Sequence, residues 1–193
     1  MNLNRYLQVE MLPIPLIAAM ILTRFHHFGD VLHLPDASLA VFFFAGFYRN
    51  KMLLGFLLAL AALIDYLAIS HGTSGWCVTP AYVFLIPTYA VMWLAGRYCA
   101  NLAVFKATEL SLSLGSMGVL ALTASVAFVI SNGSFYVFSD RYTDMSWLQY
   151  FERVAHYYPL YVGSTLIYGI VGIALVKLVK AVVATQDGRK TIS

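Results

Sequence analysis

The sequence predicts an all-α integral membrane protein: a bundle of six transmembrane helices forming one domain over residues 1–193. Three observations carry that expectation. Hydrophobic residues make up 61% of the chain and charged residues only 11%, whereas soluble domains carry about 25% charged residues. Six apolar stretches reach or approach the ~20 residues that a helix needs to cross a bilayer. The basic residues that separate those stretches fall mostly on alternate connections, as they do in multi-pass proteins.

Taken in order, the expected spans cover residues 9–25, 31–48, 51–70, 80–100, 110–131 and 159–183. The first follows Arg5 and is succeeded by Arg24, His26 and His27 with no small-residue cleavage site. It therefore reads as a retained helix rather than a removed leader. The second is short and has Pro35 and Asp36 near its start. The third carries Asp65 near its outer end. The connection 132–158 holds an amphipathic segment at 147–156. Packing is expected at small residues, which let helices approach closely in lipid: Gly55 with Ala59, Ala121 with Ser125, and Gly169, Gly172 and Ala174.

This layout gives an orientation. Arg5, Arg49, Lys51, Arg97, Lys106, Lys177, Lys180, Arg189 and Lys190 fall on one side, and Arg24, Arg141 and Arg153 on the other. The basic side is expected to be cytoplasmic, with both termini inside. A net charge of +3 and the lack of a Lys/Arg run exclude a nucleic-acid grip. No Walker motif, Cys-x-x-Cys pair or His-Glu-x-x-His pair is present, which removes the best-marked ATPase, thiol-redox and zinc chemistries.

The polar chemistry collects on the outer side. All five histidines, His26, His27, His33, His71 and His156, fall there, with Asp30, Asp36, Asp140, Asp144 and Glu152. Histidines also favour interfaces for their own sake, and both readings stand. Asp65 is an ionisable group inside a span, which costs ~2.5–3.5 kcal/mol to insert and so marks a function or a local structural bond. Tyr66, Trp76, Tyr82, Phe135, Tyr136, Tyr142, Tyr150, Tyr157, Tyr158 and Tyr161 form either an interfacial belt or the aromatic wall of a ligand site. Cys77 is expected in an outer loop and Cys99 at the inner end of the fourth span. That separation forbids a bridge, because joined Cα atoms lie ~4.4–6.8 Å apart. Cys77 is then a soft donor suited to a transition metal, or a small buried hydrophobe.

The stretch Gly75-Trp76-Cys77-Val78-Thr79-Pro80-Ala81-Tyr82, with His26-His27 after the first span and Asp65 in the third, resembles the BtuM family of bacterial cobalamin transporters. More broadly, six short spans with both ends inside look like an S-component of the energy-coupling-factor vitamin transporters. The resemblance implies inner-membrane cobalamin uptake, with Cys77 as axial ligand of the cobalt. Cys77 would replace the corrin's own base or a bound cyanide. It further implies that His26 or His27, Asp65, Tyr82 and Arg153 contact the corrin or its amide side chains. S-components that dock on a shared ATPase module often carry Ala-x-x-x-Ala in the first span. Here that span offers Ala18-Ala19 and Thr23, so working alone and docking on the module both stay open. Two other readings remain beside transport: a membrane redox or ligand-exchange enzyme acting through Cys77, and a structural or assembly subunit.

Overall fold

The computed structural model describes residues 13–24, 34–48, 50–72, 75, 78–101 and 109–190. Among them every regular element is helical. The elements are α1 (Pro13–Arg24), α2 (Ser38–Phe47), α3 (Lys51–Ser70), a 3-10 turn (Pro80–Phe84) leading into α4 (Leu85–Asn101), α5 (Glu109–Phe138), α6 (Trp147–Ala155) and α7 (Tyr158–Lys190).

Four stretches are long and apolar enough to cross a membrane: Lys51–Ser70, Pro80–Asn101, Leu114–Phe138 and Tyr158–Leu178. The first two expected spans appear as shorter apolar helices, α1 with 12 described residues and α2 with 10. The start expected for the first span, at residue 9, lies outside the described residues. In α2 the shortfall has a local cause. Pro35 disfavours helical geometry in the residue before it, and the Asp36 carboxylate accepts the Ser38 backbone N–H at 2.9 Å, which starts the helix there. α3 has the expected bounds. Asn50 caps it by accepting the Met52 N–H at 2.8 Å, and the chain turns away through Gly72 at φ +101°.

Two helices outrun their expected ends. α5 continues from Ser131 to Phe138 because Asn132 and Ser134 turn their side chains back onto the Phe128 and Ser131 carbonyls instead of breaking the helix. α7 runs on to Lys190, since no Pro interrupts its polar tail. The amphipathic segment is helical as expected. Ser146 and Gln149 form a reciprocal capping box at its start.

Helix direction follows from which ends meet. The last residue of α1 bonds to Asp36 and Ser38 at the start of α2 and to Asp65 late in α3. Phe84, before α4, stacks on Phe138 at the end of α5, and Phe128 in α5 meets Tyr158 and Tyr161 at the start of α7. Thus α1, α3 and α5 run one way and α2, α4 and α7 the other. α2 lies at the centre, packed against α1, α3, α4, α5 and α7.

The closest crossing joins α2 and α4 at Gly46 and Gly96. A Cβ on Gly96 would strike the Phe43 carbonyl, and one on Gly46 would strike the backbone of Trp93 and Arg97. Of the small residues expected to pack, Gly169 does meet Leu120 and Met117 of α5, and Gly172 meets Phe44 of α2. Gly55 does not: nothing lies within 4 Å of its missing Cβ. It faces away from the bundle, where a small residue brings no packing gain.

Candidate functional site

The candidate site is built where α1, α2, α3 and α4 converge at one end of the bundle. α1 ends on Thr23 and Arg24. Thr23 fixes the approach of the next segment, since its hydroxyl donates to the Ala19 carbonyl at 2.8 Å and accepts the Ala37 N–H at 3.0 Å. Arg24 then extends its guanidinium among four partners. Nε donates to Asp65 Oδ1 at 2.7 Å and Nη2 to Asp65 Oδ2 at 2.6 Å. This is a two-bond fork that a lysine could not make. Nη1 donates to Tyr89 at 2.6 Å, Ser38 at 3.0 Å and Asp36 at 3.2 Å. The guanidinium also lies 5.6 Å from the centre of the Tyr89 ring, which is itself stacked on Phe42 at 4.3 Å.

Exposure grades outward across this group. The Arg24 side chain is 8% exposed, that of Asp65 21% and that of Asp36 46%. Tyr82, at the 3-10 turn, donates its hydroxyl to Asp65 Oδ2. Both carboxylate oxygens of Asp65 are therefore held by side chains of its own chain. Asp36 is tied to its helix start by Ser38, whose hydroxyl donates to Oδ1 at 2.6 Å. One cation thus stands between two carboxylates, leaving the trio with a formal charge of −1. A charge this buried is tolerated only when paired and hydrogen-bonded, and here the pairing joins four helices.

The sequence-expected residues sort into three groups. Asp65 and Tyr82 come together directly. Arg153, on α6, belongs to a different cluster: its guanidinium lies 5.7 Å over the Tyr142 ring, and among the described residues no hydrogen bond joins it to Asp65 or Tyr82. That cluster packs Tyr150 and Val154 against Phe128, Tyr136, Tyr142 and Tyr161, with the Tyr150 hydroxyl on the Asn132 carbonyl at 3.0 Å. Burial pushes the Tyr150 phenol up to about 12. Cys77, His26 and His27 lie outside the described residues. The flanks of the Cys77 stretch are described. His71, just past α3, donates from Nδ1 to the Leu67 carbonyl at 2.8 Å, and Thr79 precedes the 3-10 turn with its hydroxyl shielded from solvent and unpartnered among the described residues. Cys99 is buried with a free thiol.

No group of three or more His, Cys, Asp or Glu side chains able to hold a metal ion occurs among the described residues. Arg24, Asp36, Ser38 and Tyr89 were not expected at the site from sequence. A usable signal existed for Arg24. A carboxylate inside a span calls for a cation at the same depth, and Arg24 is one of three basic residues assigned to the outer side. No family model matches the chain, and comparison with curated proteins gives no match.

Proposed function

We propose that this chain takes up cobalamin across the bacterial inner membrane, with Cys77 as the axial ligand of the cobalt. One observation carries the reading. A single end of the bundle gathers Asp65, Tyr82 and both flanks of the segment that holds Cys77, while Arg153 stands in a separate cluster on α6. The thiolate is a soft donor for a transition metal, and the corrin enters as substrate, not as a resident cofactor. When a cyanide occupies the upper position, the exchange balances without redox chemistry. The Cys77 thiolate donates an electron pair to cobalt, and cyanide departs with the pair of the cobalt–carbon bond. The protein is then a transporter whose binding step also removes the upper ligand.

The same reading completes the topology. α1 and α2 count as the first and second of six crossings, and a cytoplasmic position for both termini is supported by the nine-to-three division of basic residues. An ATPase module of the energy-coupling-factor type is the candidate partner, and the alternative is uptake by this chain alone.

The test is the absorption spectrum of protein purified from cells supplied with cyanocobalamin. The parent should hold a bound corrinoid with an altered spectrum and release cyanide. Cys77→Ser should lose the sulfur–cobalt signature and slow cyanide loss, whereas Cys99→Ser should change neither. An unchanged bound spectrum in Cys77→Ser would refute the cobalt–thiolate bond.

A further inference from the structure

The geometry points to Arg24 as a positioning residue that holds Asp65 and, through it, sets the Tyr82 hydroxyl as an acceptor for amide N–H groups of the bound molecule. This rests on the proposed uptake function. Arg24 does not itself meet a ligand, because its side chain is 8% exposed and its guanidinium is committed to Asp65, Tyr89, Ser38 and Asp36. The fork on Asp65 uses both carboxylate oxygens at 2.7 and 2.6 Å and thereby fixes the plane of the carboxylate. Tyr82 donates to Oδ2 of that same group.

A phenol has one proton to give. With that proton spent on Asp65, the Tyr82 oxygen offers only lone pairs, and a hydroxyl bonded to a carboxylate is polarised into a stronger acceptor. The complementary group on a ligand is then a donor such as a primary carboxamide –NH2, not a carboxylate. Tyr82 is the partly exposed end of this relay, and Arg24 is its buried anchor.

The experiment places 3-fluorotyrosine at position 82 and follows its 19F resonance in full-length protein in lipid nanodiscs, without ligand. Cyanocobalamin binding is measured by absorbance on the same samples. Arg24→Gln should move the resonance to the position it takes in Asp65→Asn, and Arg24→Lys should move it part of the way, since lysine keeps the charge but not the fork. Asp36→Asn, which touches the guanidinium from its exposed side, should leave it in place. A residue that merely stabilised the bundle would give no such match between Arg24→Gln and Asp65→Asn.

Arg24→Gln should also weaken cyanocobalamin binding by about tenfold, the loss expected for one well-formed hydrogen bond. The double substitution R24Q/D65N should be no worse than D65N alone. A resonance unmoved by both Arg24 substitutions overturns the proposal, as does normal binding by Arg24→Gln. If the parent binds no cyanocobalamin while the resonance still shifts as described, the uptake reading fails and the Arg24–Asp65–Tyr82 relay stands.

Discussion

α2 and α3 are consecutive apolar helices of opposite character. α2 is 10 residues long and buries Ser38, Leu39, Ala40, Val41, Phe42, Phe43, Ala45 and Gly46 on every side. α3 is twice as long, at 20 residues, and buries one stripe of Leu57, Ala61, Ile64 and Ala68, leaving Met52, Phe56, Leu63 and Tyr66 exposed. The stripe has the period of one helix face. In water an apolar residue signals the core. In a bundle of this composition it signals either the core or a lipid-facing surface, and apolarity alone does not separate the two. Helix contact does, and it shows in small residues at close crossings and in polar side chains that have found partners.

Three matched pairs of substitutions sharpen the contrast, each read as a thermal unfolding midpoint in a fixed detergent. The largest effect is expected at the α2–α4 crossing. Gly96→Val forces two backbones apart and should exceed the ~1–3 kcal/mol of ordinary overpacking, so that little folded protein is recovered. Gly55→Val on α3 meets open space and should stay within about 0.5 kcal/mol. Equal outcomes would dissolve the distinction between the two helices.

Next comes Phe42→Ala, which removes a fully buried ring stacked on Tyr89. A cost of about 3 kcal/mol is expected, at the low end of such truncations because lipid also solvates the unpacked chain. Phe56→Ala, on the exposed side of α3, should leave the midpoint nearly unchanged. A large drop there would place Phe56 in an interface.

The smallest pair is polar. Ser38→Ala deprives Arg24 of an acceptor and Asp36 of a donor and should cost about 1–3 kcal/mol. Ser70→Ala removes only exposed contacts, to the Leu67 carbonyl and the His71 ring, and a shift below about 0.5 kcal/mol is expected. A silent Ser38→Ala would mean that the guanidinium is held adequately by its other partners.

The legibility of these features in sequence follows the same division. α3 was readable to both ends because its stops are local: Asn50 at one end, and His71 and Gly72 at the other. The amphipathic α6 was readable because its period and its Ser146 cap are local too. The ends of α5 and α7 were not, since hydropathy marks where a helix is apolar and not where its hydrogen bonding stops. At the site, Asp65 declared itself as a charge in an apolar run. Its partner did not, because Arg24 lies 41 residues earlier in the chain and a terminal basic residue looks like any interfacial anchor. The crossing at Gly46 and Gly96 was hidden for a related reason: the two glycines sit on different helices, and although Gly96 has Ala100 four residues on, Gly46 has no small residue at that spacing and nothing local pairs the two.

A helix of 10 residues rises about 15 Å, only half of a hydrocarbon core about 30 Å thick. Set in a bilayer, α2 would leave the preceding segment 34–37 at membrane depth without helical hydrogen bonds of its own. Irregular backbone survives there only when protein supplies the missing partners. Three such bonds are in place. The Pro35 carbonyl accepts from Tyr168 at 2.7 Å, the Ala37 N–H donates to Thr23, and the Ser38 N–H donates to Asp36. Along α2, side chains of α7 and α1 therefore stand in for the helical hydrogen bonds that the segment 34–37 lacks.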